Sequence, residues 1–99
     1  MAAGAKKSRL VLKEKWTIPN GLVREMTLWE VPISSQYPAG IRYRMVLVNP
    51  LTGEVLVLFD NHSPKGHHQH IRGKELAYQF VSVSKLISDF LDLSRKWED

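Results

Sequence analysis

Four histidines fall within nine positions in the stretch Phe59-Asp60-Asn61-His62-Ser63-Pro64-Lys65-Gly66-His67-His68-Gln69-His70-Ile71-Arg72-Gly73. An imidazole, with an ordinary pKa of about 6.5, can both take and give a proton near neutral pH. Two such rings flanking a phosphodiester can serve as general base and general acid. The base would take the proton of a ribose 2′-hydroxyl, and the acid would protonate the leaving 5′-oxygen. On this scheme His68 and His70 move the protons and Asp60 orients a ring. Arg42, Arg44, Lys65, His67 and Arg72 would hold the phosphate and offset the charge it gains in the transition state. No cofactor is needed.

The His68-x-His70 spacing allows a second chemistry. In an extended segment residues two apart point the same way, so both rings could bind one zinc or manganese ion. His62 or Asp60 would complete the shell, and the ion would activate water. A third reading is a histidine-rich surface loop in which Gly66 and Gly73 only permit tight turns. The spacing matches no complete metal motif, so all three readings stand. Tyr78 could donate to a phosphate, and Trp16 and Trp29 could stack on bases, but the core is the more usual place for such residues in strands. There is no Gly-rich phosphate loop, no serine-hydrolase elbow and no Arg-x4-His pair.

The elements that must position these groups belong to a short chain. Its 99 residues suit one domain with one core and leave little depth for an enclosed site. A site is expected on a sheet face, in a loop or at an interface. The absence of cysteine excludes a disulfide scaffold, a thiolate zinc site and a cysteine nucleophile. Apolar runs reach about five residues, against roughly 18 to 20 for a bilayer-spanning helix. Residues 1–8 read as a basic tail without the apolar stretch of a secretory signal, and 9–99 as one domain, which points to a cytoplasmic protein. The net charge is +4. Up to Val48 basic residues dominate, while Asp89, Asp92, Glu98 and Asp99 gather at the other end, a pattern that suits an anionic ligand such as nucleic acid.

Period-two alternation predicts a strand over Arg9–Ile18, with Leu10, Leu12, Trp16 and Ile18 on one face. Pro19-Asn20-Gly21 reads as a turn into a second strand, Leu22–Val31. After a Pro- and Ser-rich loop, a third strand spans Ile41–Val48 and a fourth Glu54–Asp60. Asn61–Lys74 reads as a polar loop and Tyr78–Val81 as a short fifth strand. Val83, Leu86, Ile87, Phe90, Leu91 and Trp97 recur at helical spacing over Ser82–Trp97. Ser82 is the expected N-cap, and Val81 could staple to Leu86. The expected fold is α+β: an antiparallel β-meander of four to five strands with one C-terminal α-helix packed on one face. One helix covers one sheet face. Trp29, Val31, Leu56 and Leu58 would then sit on the other, where a second copy or another protein could cover them.

Several of these segments resemble the TumE family. They are Tyr43-Arg44-Met45-Val46-Leu47-Val48, Val57-Leu58-Phe59-Asp60-Asn61, Lys65-Gly66-His67-His68-Gln69-His70-Ile71 and Tyr78-Gln79-Phe80-Val81-Ser82, with Leu86 and Asp89-Phe90. The resemblance runs from about Lys13 to Phe90, and the Lys-Gly-[Asp/His]-His-x-His-Ile core is its most specific part. In the family the position of His67 is often Asp, so His68 and His70 match the motif better than His67 does. The resemblance implies a toxin of a toxin–antitoxin pair whose partner is a helix-turn-helix antitoxin. The reaction is a separate inference from the residues, which favour metal-free cleavage of RNA. A non-catalytic module binding nucleic acid or protein and a metal-dependent hydrolase are the alternatives. No membrane is implied, and a homodimer is compatible with the uncovered sheet face.

Overall fold

In the computed structural model, which describes residues 7–98, each strand pairs antiparallel with the strand before it in sequence. The strands are β1 (Arg9–Thr17), β2 (Val23–Glu30), β3 (Ile41–Val48), β4 (Val55–Asp60), β5 (His68–Ile71) and β6 (Lys74–Ala77). They form one sheet in chain order, followed by helix α1 (Val83–Ser94) and a 3-10 turn, Arg95–Trp97. The architecture is therefore the expected α+β meander with one C-terminal helix, but with six strands instead of four to five. Most of the expected basic tail, Met1 to Lys6, lies outside the described residues.

The extra strands arise where a loop was expected: from His68 on, the histidine-rich stretch enters a hairpin, while Asn61 to His67 stays irregular as expected. β5 and β6 pair from His68↔Ala77 to Ile71↔Lys74. Arg72 and Gly73 make the turn between them, both at positive φ (50° and 82°). Two successive positive φ angles are what a tight hairpin needs; Gly73 supplies its angle without a Cβ penalty. Tyr78–Val81, expected as a strand, leaves the sheet instead. Tyr78 packs edge-on to Phe59 at 5.0 Å between centroids, and Phe80 stacks on His67 at 4.9 Å. These aromatics close the rim of the core, so their strand-like composition reflects burial and not pairing.

The inner sheet face carries Met26 and Leu28 from β2, Tyr43, Met45 and Leu47 from β3, and Val57 and Phe59 from β4, all buried. Helix α1 lays Leu86 and Phe90 against them, both fully buried, with Phe90 edge-on to Phe59 at 6.1 Å. Each such side chain stabilises the fold by about 1.5–3 kcal/mol through burial. The Ser82 hydroxyl caps α1 as expected, accepting from the Lys85 N–H at 3.1 Å. Val81 is 63% exposed, so the expected staple to Leu86 is not made. The coil entering α1 is pinned instead by the Tyr78 hydroxyl, which donates to Asp89 Oδ2 at 2.7 Å, with Lys85 on the same carboxylate. Beyond the helix, the Trp97 carbonyl accepts from Asn20 Nδ2, and Glu98 pairs with the buried Arg24.

Two bulges change which side chains share a face. Leu10 pairs with Trp29 but Leu12 with Leu28, leaving Val11 as an extra residue. Leu10 is thereby placed on the outer face with Trp29, 42% exposed, and only Leu12 and Trp16 of β1 pack on the core. In β4 the extra residue is Leu56, which joins the core instead of the outer face. The outer face is therefore mostly polar, with Leu58 and Trp29 half-buried among charged neighbours. Among the described residues no helix is long and apolar enough to cross a membrane.

Candidate functional site

The register places one polar row straight across the uncovered face: Lys13, Thr27, Arg44, Asp60 and His68 are successive cross-strand partners. The next row on one side holds Trp29 and Arg42; the next on the other holds Leu58, His70 and Glu75. Alternation fixes this, because residues two apart on a strand share a face and direct partners share it too. The Asn61 side chain secures the end of β4 beside the start of β3. It accepts from the Tyr43 N–H at 2.9 Å and donates to the Ile41 carbonyl at 2.8 Å.

Thr27, Trp29, Arg42, Tyr43, Arg44, Asp60 and His62 line a cavity of about 410 Å³ on this face. Arg42 and Arg44 are exposed, and neither is in an ion pair among the described residues. The Arg42 guanidinium carbon stands 6.0 Å from the Trp29 ring centroid. Arg44 has Asp60 as its cross-strand partner, yet that carboxylate is turned to His68 Nε2 at 2.9 Å. Two cations thus stay free beside a carboxylate that is already occupied.

The four histidines have separate surroundings. The side chain of His68 is 10% exposed, with Nδ1 2.8 Å from the Gly66 carbonyl and Nε2 on Asp60. Both nitrogens have a partner, so the His68 ring is held in place. His70 stands beside it, ring centroids 5.2 Å apart at 70°. Its Nε2 is 3.8 Å from Glu75 Oε1, too long for a hydrogen bond, and its side chain is 27% exposed. His62 is exposed on the cavity wall, and its ring makes no hydrogen bond among the described residues. His67 is elsewhere: it packs with Tyr43 and Phe80 in a three-ring cluster on the helix side, and burial pushes its pKa down. Burial also pushes the Tyr43 phenol far above its usual range, so the phenol stays protonated, and its hydroxyl shares a hydrogen bond of 2.9 Å with His67 Nδ1.

Of the proposed phosphate ligands, the structure brings together Arg42 and Arg44 only. Lys65 is paired with Glu75 at 3.1 and 3.3 Å, and that hydrogen bond holds the Glu75 carboxyl below its usual range. Arg72 reaches the helix side, 5.9 Å from the Trp97 ring centroid. His67 borders a different cavity, of about 450 Å³, with Tyr37, Asn61 and Ser63. The Tyr78 hydroxyl is committed to Asp89. Sequence reasoning missed Glu75 and set Trp29 aside as core. The register of β2 against β3, once known, would have placed Trp29 beside Arg42. Glu75 had no such signal without β6. For a metal, the triad that converges is His68, His70 and Glu75, whose ligand atoms lie within 4.8 Å of one another; His62 is not part of it.

The protein-family model described as Toxin TumE matches residues 3–98, nearly the whole chain. No curated protein and no solved structure matches it.

Proposed function

The chain belongs to the TumE toxin family, and from the residues on the open sheet face we propose that it cleaves RNA there without a metal. A toxin of such a pair has an antitoxin, and we propose a helix-turn-helix protein in that role. The observation that carries the RNA reading is the pair of exposed, unpaired arginines, Arg42 and Arg44, lining one cavity with an imidazole, His62. Guanidinium groups suit phosphate because they present parallel N–H donors and keep their charge at any working pH.

His70 stands one row from the Asp60–His68 pair, across from Leu58, and His62 follows just beyond the end of β4 on the cavity wall. Both rings have nitrogens without hydrogen bonds among the described residues, so these are the groups to move protons. One takes the 2′-hydroxyl proton as that oxygen attacks phosphorus. The other protonates the 5′-oxygen as its bond to phosphorus breaks, leaving a 2′,3′-cyclic phosphate and a 5′-hydroxyl. His68, held by Asp60 and the Gly66 carbonyl, fixes the hairpin that presents His70. Expression of the chain should arrest growth, and purified protein should leave cyclic-phosphate ends on RNA. His70→Ala and the double Arg42→Ala/Arg44→Ala variant should each abolish both effects while melting like the parent. Stoichiometric binding with no new RNA ends would remove the nuclease reading in favour of a binding module.

A metal-dependent hydrolase is the second reading, favoured by the His68–His70–Glu75 convergence. An ion there would have to displace Lys65 from Glu75 and one of the two partners of His68. Cleavage that survives excess chelator supports the metal-free scheme. Cleavage lost to chelator and restored by zinc or manganese supports the metal.

A further inference from the structure

We infer that the cavity on the open face holds one unpaired nucleotide, its base against Trp29 and its phosphate on Arg42 and Arg44, so that the RNA bound is single-stranded. This rests on the RNA reading above and names the form of RNA that the site takes. Trp29 is half-buried on β2, on the same face as Thr27 and directly across from Arg42. It lines the cavity together with both free arginines. A volume of about 410 Å³ falls in the range of small-ligand sites, roughly 300–1,000 Å³. An aromatic wall and a phosphate-binding wall in one cavity match the two halves of a nucleotide.

The strand form follows from what each half requires. A base can lay its face on Trp29 only if that face is not already stacked on a neighbour, as it is inside a duplex. Base–aromatic stacking is tolerant of sequence, because every base has a π-face. The flat open sheet lets the chain continue past the cavity. Lys13, exposed and next to Thr27 in the same row as Arg44, extends the positive track on one side. Of the nearby acids, Asp60 is on His68 and Glu30 is on Arg9 at 3.2 Å, while Glu25 sits one row away, across from Lys15.

The test is binding of a fluorescent 2′-O-methyl RNA octamer, which cannot be cleaved at the 2′-oxygen, alone and annealed to its complement, at equal salt. The single strand should bind at least tenfold tighter than the duplex. Trp29→Leu should weaken single-strand binding about tenfold and leave duplex binding unchanged, and Trp29→Phe should restore most of the loss. Arg44→Ala should weaken binding of both forms. Equal affinity for the two forms, or a folded Trp29→Leu protein with unchanged single-strand affinity, overturns the inference while RNA binding stands. Binding of neither form overturns the inference together with the RNA reading. The comparison of the two RNA forms uses the unmodified protein, so it decides the matter even if Trp29→Leu fails to fold.

Discussion

His68 lies between two acceptors, with Nδ1 2.8 Å from the Gly66 carbonyl and Nε2 2.9 Å from the Asp60 carboxylate. His68→Ala should therefore strand a carboxylate whose side chain is only 14% exposed. The expected loss is about 1–3 kcal/mol, with the melting temperature falling roughly 4–8 °C for each kcal/mol, read by circular dichroism. Asp60→Asn should cost less, because its amide can donate to a neutral ring. His67 gives the pH dependence. Its pKa is lowered in the folded state, so between that value and the ordinary 6.5 or so the unfolded chain binds more protons. Stability should be fullest above about pH 6.5 and fall as the pH drops through the folded value. His67→Phe should flatten that part of the stability–pH curve while keeping the ring packing with Tyr43 and Phe80. At this scale the sequence singled out the histidine-rich stretch but not the different surroundings of its four rings. Four rings of one type within nine positions look alike until the fold puts His67 among aromatics, His68 on Asp60, and His62 and His70 on the open face.

Among the elements, β3 and the N-cap of α1 were legible to the residue, because a β-branched and apolar run bounded by glycine and proline and a serine before a helical stripe are both strong local signals. The β5–β6 hairpin was not. Its strands are four residues each, and all of β6, Lys74–Ala77, is exposed, so no apolar period marks it. The turn is also disguised, since Arg72 takes a positive φ more often given to Asn or Gly. Bulges are invisible for a related reason: Val11 and Leu56 look like members of a regular alternation until pairing skips them. Two substitutions test these elements. Ser82→Ala removes the hydroxyl that accepts from Lys85 and should cost about 1 kcal/mol in chemical denaturation. Gly73→Ala adds a Cβ at φ 82° and should cost about 1–2 kcal/mol. That loss should show first as faster amide exchange in β5 and β6, since an edge hairpin opens locally before the whole sheet does.

For the whole molecule, the sequence suggested a basic half and an acidic end, and the structure turns that contrast into an orientation. The acidic residues Asp89 and Asp92 lie on α1, which packs on the inner sheet face, while Lys13, Arg42 and Arg44 lie on the outer one. Binding to single-stranded RNA through these three cations should fall with salt at a log–log slope of about −2, and Arg44→Ala should reduce its magnitude by about 0.7. The slope is read from affinities at several salt concentrations. The α+β class and the single closing helix were readable in advance, because both follow from hydrophobic periodicity. The identity of the open face was not, since it depends on register and register depends on the bulges. The order of the chain also has a consequence in time. The sheet runs in sequence order, but its inner face is sealed by Leu86 and Phe90, and the last described residues tie back to the first hairpin through Asn20 and Arg24. During translation, then, the arginine-bearing strands emerge early but lack a stable core until the segment near residue 98 has left the ribosome. The open face is thus completed only once the helix and the residues after it have been made, which gives an antitoxin partner an interval in which to be ready.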